Sequence, residues 1–242
     1  MKTWFKSLTV CLLLGVLTVP TQAECGEPFV LSADEKDTLS GVYFFGESTT
    51  AHLARSGGVL DTDESRGKVL RDESGTRCLD MRILSSPVFY YEGSKTEKIS
   101  FANAVERAQP CVLVLSFGLN GLSRWTRDPD VFLRNYRALI DGVLSRSPNT
   151  KIILQSVYPV GENTGFSAPT QELNRQICKL NGHISFLANE YQNVKYVNTA
   201  ALLTDADGTL LSIYNSGDGI HLTNEAYRII LRFLCQSIST QE

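Results

Sequence analysis

The sequence predicts an α/β fold, a parallel sheet with helices on both faces, and three observations carry that prediction. Short, almost wholly apolar runs recur along the chain; each ends near a glycine or proline; and stretches with apolar residues at helical spacing separate them. Val42-Tyr43-Phe44-Phe45 is the first run and stops at Gly46, after which Ser48 to Ala54 can begin a helix. Cys111 to Ser116 is a second buried strand, ending at Gly118. Asp128-Pro129 then supplies an N-cap with proline at the first helical position, and Phe132, Tyr136, Leu139, Ile140 and Val143 form the inner stripe of that helix.

Lys151 to Val157 is the third strand, closed by Pro159 and followed by a Gly/Asn/Ser-rich loop to Ser167. From Pro169 to about Tyr191 the apolar positions Leu173, Ile177, Leu180, Ile184, Leu187 and Tyr191 step by four and three, which places them on one helical face. Val194 to Val197 is the next strand, and a last helix capped by Thr223 buries Tyr227, Ile230, Leu231 and Leu234. Residues 57–100 interrupt this rhythm. Cys78 to Ile83 alternates loosely and Val88-Phe89-Tyr90-Tyr91 is β-like, so the segment predicts one or two strands.

The chain has 242 residues, 43% hydrophobic and 20% charged, a composition that excludes disordered, collagenous and coiled-coil proteins. Residues 1–23 read as a secretory signal peptide. Lys2 and Lys6 precede the apolar stretch Leu8 to Val19, and Thr21-Gln22-Ala23 offers small residues for cleavage after Ala23. As a membrane anchor the stretch is shorter than the roughly 20 residues that span a bilayer, so no stable anchor is expected. Residues 24–36 then form an N-terminal extension, and 37–242 form one domain.

Without Lys2 and Lys6, 21 basic side chains face 26 acidic ones, a formal charge of −5. Nucleic acid and anionic membrane surfaces are therefore poor partners, because binding phosphates needs a basic face. Cys25, Cys78, Cys111, Cys178 and Cys235 are too widely spaced for a zinc site and too few for a disulfide scaffold. Cys111 opens an apolar run and reads as a small core residue.

Three polar groups fall at predicted strand ends or in the loop before the last helix: Gly46-Glu47-Ser48-Thr49, Gly118-Leu119-Asn120-Gly121 and Asp218-Gly219-Ile220-His221. Ligands of open α/β sheets bind beyond the carboxyl ends of the strands. The groups supply what acyl transfer needs: a hydroxyl nucleophile, a base oriented by a carboxylate, and amide donors for an oxyanion. In that reading Ser48 attacks, His221 takes and returns its proton, and Asp218 fixes the imidazole tautomer. The Asn120 amide faces the oxyanion, and losing one such donor typically costs ~3 kcal/mol of transition-state stabilisation.

On these residues, Asp218-x-x-His221 above all and Gly118-x-Asn120 next, the chain resembles the SGNH hydrolases, the GDSL-like lipase/esterase family, over essentially the whole length after residue 23. The resemblance implies a three-layer αβα sandwich with a flavodoxin-like parallel sheet. It implies a Ser48, Asp218, His221 triad, an oxyanion hole from the Ser48 N–H, a glycine N–H and Asn120, and no metal or organic cofactor. The glycine is first assigned to Gly75 in Ser74-Gly75-Thr76, with Gly57 and Gly58 as rivals. Two residues depart from the pattern: Glu47 stands where the first block has aspartate, and Gly121 where the third ends in aspartate.

Each residue also has a plainer reading. Ser48 can be a helix cap, Asp218 a turn residue and His221 a surface residue before a helix. His52, one turn after Ser48, lines the site or is a partly exposed helix residue, and His183 reads as structural. Arg124 and Trp125, on a loop after Asn120, can form a substrate wall or anchor that loop by one buried Trp; Tyr158 carries the same ambiguity. The expected function is a secreted serine esterase acting on small-molecule or polysaccharide esters, O-acetyl groups on carbohydrate first. A lipase or lysophospholipase of the same family is the alternative, as is a carbohydrate-binding module that has lost turnover.

Overall fold

The structure, a computed structural model, describes residues 31–72 and 77–239. The expected signal peptide, Cys25 and the Ser74-Gly75-Thr76 turn lie outside the described residues. Four parallel strands form the central sheet in the order β1-β4-β5-β6: β1 (Val42–Gly46), β4 (Val112–Ser116), β5 (Lys151–Gln155) and β6 (Val194–Val197). Their registers pair Phe44 with Val114, Val114 with Ile153 and Ile153 with Lys195. A single parallel bridge, Phe44 to Val69, adds Lys68–Leu70, which follow the short helix α3 (Asp63–Arg66), along the outer edge of β1 through two backbone hydrogen bonds of 2.8 Å. The second stretch of sheet in chain order thus lies outside the first, which gives the strand order of a flavodoxin-like sheet.

Alternation along the strands divides the interior into two cores. Phe45, Leu113, Leu115, Ile152 and Leu154 point to one face, while Val42, Phe44, Val112, Val114 and Ile153 point to the other. The first face is covered by α6 (Pro129–Leu144) and α7 (Thr170–Ala188), whose predicted stripes are buried except for Tyr191, which lies half-buried beyond the end of α7. The second is covered by α8 (Asn224–Ser239), which buries Tyr227, Ile230, Leu231 and Leu234. Asp128 caps α6 through the Val131 N–H at 3.3 Å, with Pro129 at the first helical position. The result is the expected three-layer αβα sandwich. Among the described residues no helix is long and apolar enough to cross a membrane.

Several elements differ from the sequence reading. A helix that the pattern did not show, α1 (Ala33–Ser40), opens with a Ser32/Glu35 capping box and packs on α8 through an Arg232–Glu35 bond of 3.0 Å. Cys78 to Ile83 is irregular chain and turn leading into the 3-10 turn Ile83–Ser85, not strand. The expected β-like run Val88-Phe89-Tyr90-Tyr91 does form a strand, β2 (Pro87–Glu92), which pairs antiparallel with β3 (Lys95–Ser100), a strand the pattern did not show; the short helix α4 (Phe101–Ala108) follows. Cys111 is exposed just before β4, and His183 is exposed on α7, so neither is a core residue.

Candidate active site

The three polar groups meet at the carboxyl ends of β1 and β4. β1 ends at Gly46, where a Cβ would run into the Ser116 carbonyl and the Thr50 side chain, so only glycine fits. The chain then turns through Glu47 into α2 (Ser48–Ala51), which continues as a 3-10 turn over His52–Ala54. Ser48 Oγ lies 3.0 Å from His221 Nε2. His221 Nδ1 lies 2.6 Å from Asp218 Oδ2.

The local chain holds this second pair. The other oxygen of Asp218 accepts the N–H groups of Ile220 at 2.9 Å and His221 at 2.8 Å. Asn215 Oδ1 accepts those of Gly217 and Gly219. Gly219 sits at φ 74°, where a side chain would strike the Glu162 carbonyl. Partial burial pushes the Asp218 carboxyl up, but the His221 ring and the two backbone N–H groups outweigh it and bring it to about 2. Ionised Asp218 can only accept, so Nδ1 carries the proton and Nε2 presents a lone pair to the Ser48 hydroxyl.

Glu47 is the residue whose place the sequence left unexplained. It is 3% exposed, and its carboxylate accepts three consecutive backbone N–H groups: Gly118 at 3.0 Å, Leu119 at 3.0 Å and Asn120 at 3.1 Å. Burial drives its pKa up to about 7 against the lowering effect of those amides. The sequence signal for this role was an acid set directly after a buried strand, where a carboxylate must find donors.

Asn120 donates its side-chain amide to the Arg77 carbonyl and accepts the Trp125 indole N–H at 2.8 Å through its backbone carbonyl. Arg77, unnoticed in the sequence, is itself buried and paired with Asp72 at 3.0 Å. Gly121, the second departure, is required: it has φ 89°, and a Cβ would come within 3.0 Å of the Trp125 ring. Below the serine, Tyr227 donates its hydroxyl to the Thr49 carbonyl at 2.7 Å. The pattern had marked Tyr227 only as a packing residue.

Three readings are corrected by burial and bonding. Trp125 is fully buried on the short helix α5 (Leu122–Arg127), not on a loop, so it offers no face to a substrate; Arg124 lies exposed beside its ring at 4.8 Å. Tyr158 is 6% exposed and accepts from Gln155 Nε2 at 2.7 Å inside the second core. Gly57 and Gly58 are not free donors, since their N–H groups go to the Asp61 carboxylate and the Arg55 carbonyl, both at 2.7 Å. His52 does border the site: its ring stacks on His221. Among the described residues no three His, Cys, Asp or Glu side chains form a metal donor set.

Comparison with solved structures finds the same layered fold in esterases. A GDSL-like lipase from Bacteroides thetaiotaomicron superposes with a TM-score of 0.58 at 21% identity, covering 86% of this chain and 91% of that one. An acetyl xylan esterase gives 0.54 at 20%, covering 81% and 98%. A catalytic mutant of an acetylxylan esterase from Geobacillus stearothermophilus gives 0.51 at 19%, covering 81% and 93%. At such identities the likeness is one of fold. No curated protein matches the chain. The family model for GDSL-like lipases and acylhydrolases matches residues 44–229, from within β1 into α8, and so spans every strand end that carries the polar cluster. On that match, the chain belongs to the GDSL-like lipase/acylhydrolase family.

Proposed function

We propose that the protein is a secreted serine esterase that hydrolyses short-chain carboxylic esters, with O-acetyl groups on carbohydrate as its substrate class. The relay from Ser48 through His221 to Asp218, 3.0 and 2.6 Å long, carries this reading. As the Ser48 oxygen attacks the ester carbonyl carbon, its proton passes to His221 Nε2, and the carbonyl oxygen takes the negative charge. The Ser48 N–H, at the first position of its helix and without an intrahelical partner, and the second amide hydrogen of Asn120 serve that oxygen. Collapse expels the alcohol, which leaves with the proton from Nε2. Water then attacks the acyl-serine with His221 as base, and the acid departs.

Two of the similar structures are acetylxylan esterases, which supports the acetyl and carbohydrate parts of the reading. The signal-like residues 1–23 support export. The purified protein should hydrolyse p-nitrophenyl acetate and release acetate from acetylated xylan, and Ser48→Ala should remove both activities. Intact protein no faster than Ser48→Ala would point instead to a binding module, and a clear preference for long acyl chains to a lipase.

A further inference from the structure

We infer that His52 is a positioning residue for His221, acting as a flat neutral platform that keeps the base in the plane where it meets both Ser48 and Asp218. This rests on the reading of His221 as the base. The two imidazoles stack with centroids 4.0 Å apart and planes inclined by 23°. His52 lies one helical turn beyond Ser48, so the backbone that presents the nucleophile also presents the platform, and the serine and the stacked ring move as one unit.

The His221 ring is tethered along its edges by Ser48 and Asp218, but two in-line hydrogen bonds leave it free to rock about the axis joining them. A stacked plane on one face opposes that rocking. His52 is in turn oriented by Arg55, whose guanidinium lies 3.4 Å from His52 Nδ1. Arginine only donates, so Nδ1 is the acceptor and the His52 proton sits on Nε2.

Neutrality is part of the device. Burial lowers the His52 pKa, and the facing His221 and Arg55 lower it further against the opposing Asp218, to about 4. An uncharged platform does not oppose the imidazolium that forms on His221 during acylation, as a cation at 4.0 Å would.

Two replacements separate stacking from bulk. His52→Leu retains apolar volume but no flat face, whereas His52→Phe retains the face and loses the nitrogens. With p-nitrophenyl acetate, His52→Leu should lower kcat about tenfold with KM nearly unchanged, and His52→Phe should recover most of that loss. The rate of Ser48 capture by a fluorophosphonate should follow the same order. Leu and Phe variants that both match the wild type, or that fall equally, would overturn the inference. Nitrogen-15 NMR of the unmodified protein tests it without any substitution. The His52 ring should stay neutral and Nε2-protonated at pH 5.5, and a ring titrating at the ordinary 6.5 would overturn it. A wild type without turnover would instead sink the esterase reading, and the ring titration would still decide whether the neutral platform exists.

Discussion

Glu47 and Asn120 are joined through Glu47 Oε2, which accepts the Asn120 backbone N–H at 3.1 Å. The residue before Ser48 therefore sets the position of the side chain proposed to face the oxyanion. A neutral glutamine has one acceptor oxygen in place of two, and its NH2 would confront an N–H of the Gly118–Asn120 turn. Glu47→Gln should lower kcat at pH 8 by about tenfold while KM changes little, because a donor displaced by a fraction of an ångström is lost chiefly in the transition state. Steady-state kinetics checks this, and unchanged kcat would show that the turn holds its shape without the carboxylate.

The same carboxylate makes stability depend on pH. Its pKa is 4.5 in an unfolded chain and about 7 in the fold, so between those values the folded state holds a proton that the unfolded state lacks. Its contribution to stability is complete below about 4.5 and is lost as pH rises through about 7. Urea unfolding of the wild type, measured against Glu47→Gln, should show a wild-type stability that declines from pH 5 to pH 8 relative to the variant. A flat difference would mean that the amides hold Glu47 ionised throughout.

Tyr227 connects the last helix to the turn that carries Ser48. Tyr227→Phe leaves the buried Thr49 carbonyl without its donor, which costs about 1–2 kcal/mol. Ser48 rides on the same turn, so kcat should fall with stability. Urea denaturation paired with kinetics tests the link, and full activity in a destabilised variant would show that the bond serves folding alone.

Trp125→Ala should cost about 4 kcal/mol through the cavity it leaves among Phe132 and its neighbours, and it also strips the Asn120 carbonyl of its indole donor. The expectation is a protein with a lower denaturation midpoint and a reduced kcat. A change confined to KM would restore the discarded reading of Trp125 as a substrate wall.

The strands and long helices were legible because burial there is continuous. Runs such as Val112-Leu113-Val114-Leu115 serve two cores at once, and α7 repeats its stripe over five turns. Short elements with little burial, such as α1, were not legible. Among the side chains of α1 only Leu39 is buried, so its signal lay in the Ser32-x-x-Glu35 cap rather than in periodicity. The grouping of Ser48, Asp218, His221 and Asn120 was legible because each sits in or beside a turn at the carboxyl side of the sheet. Glu47 read as a mere departure because its partners are backbone amides 71 to 73 residues away, which no side-chain pattern records. Trp125 was ambiguous because its residue type suits a site wall and a core alike, and only its complete burial decides between them.

Asp218 offers the sharpest separation of orientation from binding. Its side chain is 51% exposed and accepts from the His221 ring at 2.6 Å and from two backbone N–H groups. In Asp218→Asn the carboxamide oxygen stays with the backbone donors and its NH2 turns toward Nδ1. His221 then presents a lone pair at Nδ1 and carries its proton on Nε2, where it can no longer accept from Ser48. The variant should bind substrate with little change in KM while kcat falls by about 10⁴-fold, the order found when a base is held in the wrong tautomer. Burst kinetics with p-nitrophenyl acetate would place the loss in acylation, and an unchanged kcat would show that the imidazole is oriented by something other than this carboxylate.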